Sequence, residues 1–229
     1  KSNAKYLSCN FTDLKENKPV ADAYAMETFG SLKVAFVGVS TPETFTKSTP
    51  TYFQDAEGNY IYGFCEGGNG QDLYNAVQGA VDAAVKEGAD VVIALGHCGI
   101  DEQSSPWTSR EIIANTTGLD AFIDGHSHST IPGETVKDKS GNDVVLTSTG
   151  TKLANIGKMT ITAEGQVSTE LVNGYTEVDA ETDAFVKNIQ AQYEDKLNEV
   201  VAKSDVDLVV MDPATGNRLI RNQETNLGN

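Results

Sequence analysis

Two short apolar runs, each followed by histidine, constrain the fold of this chain more than any other feature. Residues 91–96 precede His97, and residues 121–125 precede His126 and His128. Short apolar runs bounded by glycine are typical of strands that are buried on both faces of a parallel sheet. Ligands of open α/β sheets bind beyond the carboxyl ends of the strands, and imidazole is a common metal ligand. We therefore expect the three histidines to converge as part of a metal centre.

Helical and extended patterns alternate before and between these runs. Residues 6–11 predict a strand, and residues 24–29 and 32–40 predict two strands joined by a tight turn. An amphipathic helix is predicted over residues 72–87, where apolar side chains recur at three- and four-residue spacing before Gly88. A second helix is predicted from Ser105-Pro106 to about Asn115. The alternation indicates an α/β fold whose sheet is at least partly parallel.

The pattern changes after the histidines. Residues 135–172 contain β-branched runs separated by turns, which predicts antiparallel strands. A long helix is predicted to begin at Asp179, and about twenty helical residues reach roughly 30 Å, enough to link two domains. One further strand is predicted over residues 206–210.

Composition narrows the classes of protein. The net charge of −16 repels nucleic-acid phosphates, so we expect no nucleic-acid polymer as a partner. No apolar run approaches the roughly 20 residues of a membrane span, and the first residues have no apolar segment typical of a signal peptide. Cys9, Cys65 and Cys98 show no metal-type spacing and are interpreted as buried thiols.

The histidine motifs resemble those of a known family. Gly96-His97, followed by Asp124-Gly-His-Ser-His128, resembles the second half of the calcineurin-like metallophosphoesterase pattern. Residues 6–11, 88–92, 148–150 and 224–229 are similar to the 5′-nucleotidase branch, which includes UDP-sugar hydrolases and 2′,3′-cyclic-nucleotide phosphodiesterases.

The resemblance implies an architecture. Residues 1–178 would be the C-terminal part of a four-layer α/β/β/α metallophosphoesterase domain, and residues 179–203 a linker helix. Residues 204–229 would then open a C-terminal, nucleoside-binding domain.

The resemblance also implies a dinuclear metal site. His97 and His126 would bind one divalent ion and His128 the other, with zinc, manganese or iron as open choices. Two such ions hold a hydroxide and stabilise the entering and leaving oxygens of phosphoryl transfer. The substrate would be a nucleotide or other small phosphate ester, in an extracytoplasmic setting, and no substrate-binding residue is predicted.

The chain also departs from the family pattern. The first-half motifs, among them Gly-Asn-His-Glu with its general-acid histidine, do not occur here. We therefore expect a fragment that carries no catalytic residue, is inactive alone, and is helped by self-association or by a retained N-terminal piece. Two alternatives stay open: a non-catalytic metal- or ligand-binding module on the same scaffold, and a mononuclear zinc enzyme with three histidine ligands.

Four other polar residues receive structural interpretations. Asn10 is expected to stabilise a turn through its side chain, and Cys98 to pack in the core rather than act as a nucleophile. Asp120 and Asp124 flank a predicted strand and are expected to cap or pair locally.

Overall fold

The computed structural model describes residues 3–215, 219 and 224–226. In chain order the elements are β1 (Thr12–Asp13), β2 (Lys18–Pro19), β3 (Tyr24–Phe29), β4 (Leu32–Ser40), α1 (Thr44–Lys47), β5 (Tyr62–Gly63), α2 (Gln71–Glu87), β6 (Val91–His97), α3 (Ser109–Asn115), β7 (Ala121–Asp124), β8 (Thr130–Lys137), β9 (Asp143–Thr149), β10 (Ile156–Ile161), β11 (Val167–Val172) and α4 (Ala180–Leu197).

A six-stranded mixed sheet dominates the described residues. Its strand order is β3-β4-β6-β7-β9-β8. The four inner strands are parallel, and the edge strands β3 and β8 pair antiparallel with their neighbours. The predicted partly parallel sheet is confirmed. The register pairs Ser40 at the end of β4 with His97 at the end of β6, so these strands end at one edge.

The two faces of this sheet bury alternate side chains of the same strands. Helices α2 and α3 cover one face through an apolar cluster that includes Leu73, Val77, Ile112 and Phe122. The antiparallel hairpin β10–β11 covers the other, where Met159, Ile161 and Val167 pack against Val34, Val91, Ile93 and Ala121. Helices, main sheet and hairpin sheet form three layers, and the predicted α/β class is confirmed.

Helix α2 ends, and helix α3 begins, at a residue suited to capping. Helix α2 ends at Gly88, whose φ of 99° is a conformation that glycine adopts without strain. Helix α3 begins later than predicted, because Thr108 is its cap and not Ser105-Pro106. The Thr108 hydroxyl accepts from the Glu111 backbone N–H, while the Glu111 carboxylate accepts from that of Thr108.

Two predicted strands are wrong. Residues 6–11 form only a single bridge, between Leu7 and Asp22, and are irregular otherwise. Residues 206–210 are also irregular, and Val206 is 64% exposed, so most of its apolar surface is left uncovered by the described residues. Alternating apolar residues predict a strand only where a pairing partner and a covering layer are available.

The chain divides into two compact units, Lys1–Gly174 and Tyr175–Asn229. In the second unit, the helix predicted over residues 179–203 is present only as α4 and ends at Leu197. The Asp179 carboxylate caps it by accepting from the Thr182 backbone N–H at 2.8 Å. That this unit opens a nucleoside-binding domain stays a prediction, and residues 227–229 lie outside the described residues. No helix in the described part of the chain is long and apolar enough to cross a bilayer.

Candidate metal-binding site

The ends of two adjacent parallel strands bring two histidines together. His97 is the last residue of β6, and His126 follows β7 by two residues. Their ring centroids lie 5.1 Å apart with an interplanar angle of 69°. The sequence placed both residues at the carboxyl ends of strands, and the structure shows that they are neighbours.

Glycine at position 125 permits this approach. A Cβ atom there would lie 3.0 Å from Nδ1 of His97, closer than nearly all ordinary contacts. Gly96 likewise leaves room for a ring, because a Cβ at this position would overlap the ring of Phe122. The glycines that precede His97 and His126 are therefore packing requirements of the strand ends.

Asp124 connects the two strand ends. Its buried Oδ1 accepts hydrogen bonds from the backbone N–H groups of Cys98 at 3.0 Å and Gly99 at 3.1 Å. These bonds hold the segment that follows His97 against the end of β7. Its Oδ2 is buried and has no hydrogen-bond partner among the described residues. The expectation that Asp124 caps or pairs locally is therefore wrong, because its partner Cys98 lies 26 residues earlier in the sequence.

Glu43 is the residue that sequence reasoning missed. It is 8% exposed, and its Oε2 lies 2.8 Å from Nε2 of His126. The same oxygen accepts from the Ser104 hydroxyl at 2.6 Å, and Lys47 Nζ lies 3.6 Å from Oε1. Burial alone would raise the pKa of Glu43, but the hydrogen bonds from Ser104 and His126 and the nearby Lys47 lower it overall. Glu43 follows the end of β4 by three residues, so the strand-end argument that selected the histidines also applies to it.

His128 is exposed and has a φ of 57°. Burial and the neighbouring charges of His126 and His128 lower the pKa of His97, against the opposing effect of Asp124. A neutral imidazole is the form that binds metal ions. Across residues 3–215, 219 and 224–226, no group of three or more His, Cys, Asp or Glu side chains is placed to hold a metal ion. The structure therefore brings His97 and His126 together without making His128 a third ligand beside them.

The chemistry of this pair fits part of a metal site. Two imidazoles on one tetrahedral ion, with metal–nitrogen distances of about 2.1 Å, have ring centroids roughly 5 Å apart. The His97–His126 separation of 5.1 Å matches that geometry. The buried, unpaired Oδ2 of Asp124 places further negative charge near His97. The described residues thus fit two ligands of an ion but do not complete its coordination.

The remaining singled-out residues are structural. Asn10 is fully buried and donates to the carbonyls of Ser40 and Phe64, so it joins distant segments instead of stabilising a local turn. Cys98 is also fully buried, and burial raises the pKa of its thiol, as expected for core packing. The carboxylate of Asp120 accepts from the Val92 backbone N–H at 2.8 Å. All three cysteines are free, but only Cys98 is fully buried, so the interpretation as buried thiols is confirmed for Cys98 and not for the partly buried Cys9 and Cys65.

Comparisons with known proteins point to one family. A 66-residue part of the chain is 35% identical to the trifunctional nucleotide phosphoesterase YfkN of Bacillus subtilis and covers 27% of the chain and 4% of YfkN. Over 151 residues, 61% of the chain, it is 22% identical to the Salmonella typhimurium 2′,3′-cyclic-nucleotide 2′-phosphodiesterase/3′-nucleotidase, covering 22% of that protein. A 5′-nucleotidase of Diplobatis ommata is 32% identical over 97 residues, which are 42% of the chain and 13% of that protein. No family model matches the chain.

Solved structures share the fold. The sulfate thiohydrolase SoxB of Thermus thermophilus superposes with a TM-score of 0.64 and 20% identity, covering 84% of the chain and 33% of SoxB. The calcineurin-like phosphoesterase YfkN of Bacillus subtilis superposes with a TM-score of 0.58 and 19% identity, covering 85% of the chain and 63% of that structure. The chain therefore shares its fold with part of each of these structures. Together with the sequence relatives, this shared fold agrees with the resemblance to a C-terminal part of calcineurin-like 5′-nucleotidases, and the chain spans between 4% and 22% of the length of these curated relatives.

Proposed function

We propose that this chain supplies part of the metal centre of a phosphoesterase that hydrolyses nucleotides. The observation that carries the proposal is the His97–His126 pair, 5.1 Å apart at the ends of adjacent parallel strands. The names of the three sequence relatives, which are phosphoesterases or nucleotidases, support nucleotides as the substrate class. The chain aligns with no more than 22% of these relatives, so the activity belongs to a larger assembly of residues than the one described.

In this proposal His97 and His126 bind one divalent ion, and His128 contributes to a second. When bound, such ions supply a nucleophilic hydroxide and stabilise charge on the phosphoryl oxygens. The chain's own residues do the positioning: Asp124 holds the segment after His97, and Gly125 leaves room for the ring. The remaining ligands and the general acid come from outside the described residues. An extracytoplasmic location belongs to the same proposal.

A non-catalytic binding module is the second candidate. It is favoured for the chain by itself because the described residues bring no three metal-donor side chains together. The same observation gives no support to a mononuclear zinc enzyme with three histidine ligands. In addition, His126 and His128 follow β7 in an irregular segment, whereas such enzymes carry their His-x-His within a strand.

Calorimetric titration of the 229-residue chain with Zn²⁺ tests the metal site. We expect weak, reversible binding that is at least tenfold weaker in His97→Asn and His126→Asn. The affinity should fall at acidic pH, below the ordinary imidazole range, because burial lowers the pKa of His97 and keeps its imidazole neutral further down. Asp143→Asn is the matched control, because it removes an exposed carboxylate at the amino end of β9 and should leave the affinity unchanged. Equal affinities for the wild-type chain and both histidine variants would contradict the proposal.

Activity assays separate the two candidates. With 5′-AMP or 2′,3′-cyclic AMP as substrate, the chain alone should show little or no turnover, because catalytic groups that act as a unit fail together. If the chain belongs to an enzyme, adding the N-terminal half of a relative, with its metal-binding residues, should restore hydrolysis. Turnover by the chain alone on the order of 10 per second would show that its described residues already complete the site.

A further inference from the structure

We infer that Glu43 is a positioning residue for His126: it holds the imidazole through Nε2 and so leaves Nδ1 as the nitrogen that binds the metal ion. The inference rests on the proposed metal site and adds to it a residue and a ligand atom. It starts from the 2.8 Å contact between Glu43 Oε2 and His126 Nε2.

The direction of this hydrogen bond follows from its partners. An ionised carboxylate can only accept, so Nε2 of His126 must carry the hydrogen and donate it. Because Oε2 also accepts from the Ser104 hydroxyl at 2.6 Å, the Glu43 side chain is held from two sides. A neutral imidazole with hydrogen on Nε2 has its only free lone pair on Nδ1. Metal-binding histidines commonly donate their other ring nitrogen to a carboxylate, which fixes the tautomer and the ring orientation.

The backbone of His126 has a conformation that its surroundings must hold. Its φ of 78° is unusual for a residue with a side chain, and such conformations persist only where the surroundings hold them. Two contacts surround this position: the Ser127 backbone N–H donates to Gly125 at 3.1 Å, and Glu43 holds the ring. The side chain of His126 is only 15% exposed, so its ring has little freedom to reorient.

Three elements meet at this hydrogen bond. Glu43 follows the end of β4, Ser104 lies in the turn after β6, and His126 follows β7. The side chain of Glu43 therefore reaches across the end of β6, which lies between β4 and β7 in the sheet. His97 ends that middle strand, and its ring lies edge to face with the ring of His126. Holding His126 by Nε2 thus orients its ring beside His97.

Nuclear magnetic resonance of the metal-free, ¹⁵N-labelled chain tests the hydrogen bond directly. The chain has three histidines, so His97→Asn and His128→Asn variants assign the His126 signals. We expect an Nε2–H proton of His126 in slow exchange with water and shifted downfield. This signal should disappear in Glu43→Met and persist in Lys47→Ala, which removes only the partner of the other carboxylate oxygen.

Zn²⁺ titration of the same variants tests the positioning role. Loss of a carboxylate that orients a metal-binding histidine typically weakens affinity by 10- to 100-fold, and we expect this for Glu43→Met. Glu43→Gln keeps the shape and an accepting oxygen, so it should recover part of the affinity. Ser104→Ala should change the affinity less than Glu43→Met does, because Ser104 does not contact the imidazole. Thermal unfolding of each variant verifies that it is folded before titration.

The outcomes separate this inference from the proposed function. If the wild-type chain binds Zn²⁺ but Glu43→Met and Glu43→Gln keep both the affinity and the Nε2–H signal, Glu43 has no positioning role. Loss of the signal without any loss of affinity overturns the role equally. If the wild-type chain shows the signal but binds no Zn²⁺, the proposed metal site fails, and with it the assignment of Nδ1 as the ligand atom.

Discussion

The two faces of the main sheet are built from the same strands but are buried to different extents. On the helix-covered face, Leu73, Ile112 and Phe122 are fully buried. On the hairpin-covered face, Phe36 and Ile123 are only partly buried, and Leu95 is 38% exposed. Alternation along β6 puts His97 on the same face as Leu95. The less completely covered face is therefore the one that carries this histidine.

This difference in burial indicates that one face contributes mainly to stability and the other carries the candidate site. The helix-covered face contributes most of the hydrophobic stabilisation, since burial of apolar area is worth roughly 25 cal/mol per Å². The hairpin-covered face buries less at its carboxyl edge and leaves His97 accessible. Stability and the candidate site thus depend on opposite faces of the same strands, and substitutions on each face should separate them.

The largest expected difference in the free energy of unfolding is between alanine substitutions of two phenylalanines, one on each face. Phe122→Ala should lower the free energy of unfolding by about 3–5 kcal/mol, because a fully buried ring leaves a cavity beside Gly96. Phe36→Ala on the hairpin-covered face should lower it by about 1–2 kcal/mol, because its ring is only partly buried. Urea titration monitored by the fluorescence of Trp107, the single tryptophan, measures both. Equal losses would mean that the two faces contribute alike.

Removing one hydrogen bond from each covering layer should give a smaller difference in the free energy of unfolding. Thr108→Ala removes the cap of α3 and should lower the free energy of unfolding by about 1 kcal/mol. Thr169→Val removes the hydroxyl of β11 that donates to the Pro132 carbonyl at 2.7 Å. Because that bond is exposed, we expect a loss of roughly 0.5 kcal/mol. The same urea titration compares them, and a larger loss for Thr169→Val would reverse the ranking of the two covering layers.

Exposed ion pairs should give the smallest effect. Arg110 on α3 donates through two nitrogens to Glu134 on β8, at 2.9 and 2.8 Å. Since both side chains are substantially exposed, Arg110→Ala should cost less than about 1 kcal/mol, and less still at high salt. Lys158→Ala, which removes the exposed pair with Glu170 in the hairpin, should cause no measurable change in urea titration. A clear loss for Lys158→Ala would show that the hairpin depends on charge pairing.

Local patterns in the sequence predicted the strands well where each strand has pairing partners and a covering layer. The continuous apolar runs predicted β6 and β7, since each strand buries side chains on both faces. The strands 24–29 and 32–40 match β3 and β4 residue for residue. The same reasoning was wrong for residues 6–11 and 206–210, because strand propensity does not reveal whether a pairing partner is present.

The sequence by itself determined the strand positions and the placement of His97 and His126 at their ends, because apolar periodicity and glycine are local signals. Only the tertiary structure decided which groups surround these histidines. Glu43 and His126 are 83 residues apart, and Asp124 and Cys98 are 26 apart. No local pattern encodes such contacts, since they depend on the order in which β4, β6 and β7 lie side by side and on the alignment of their ends.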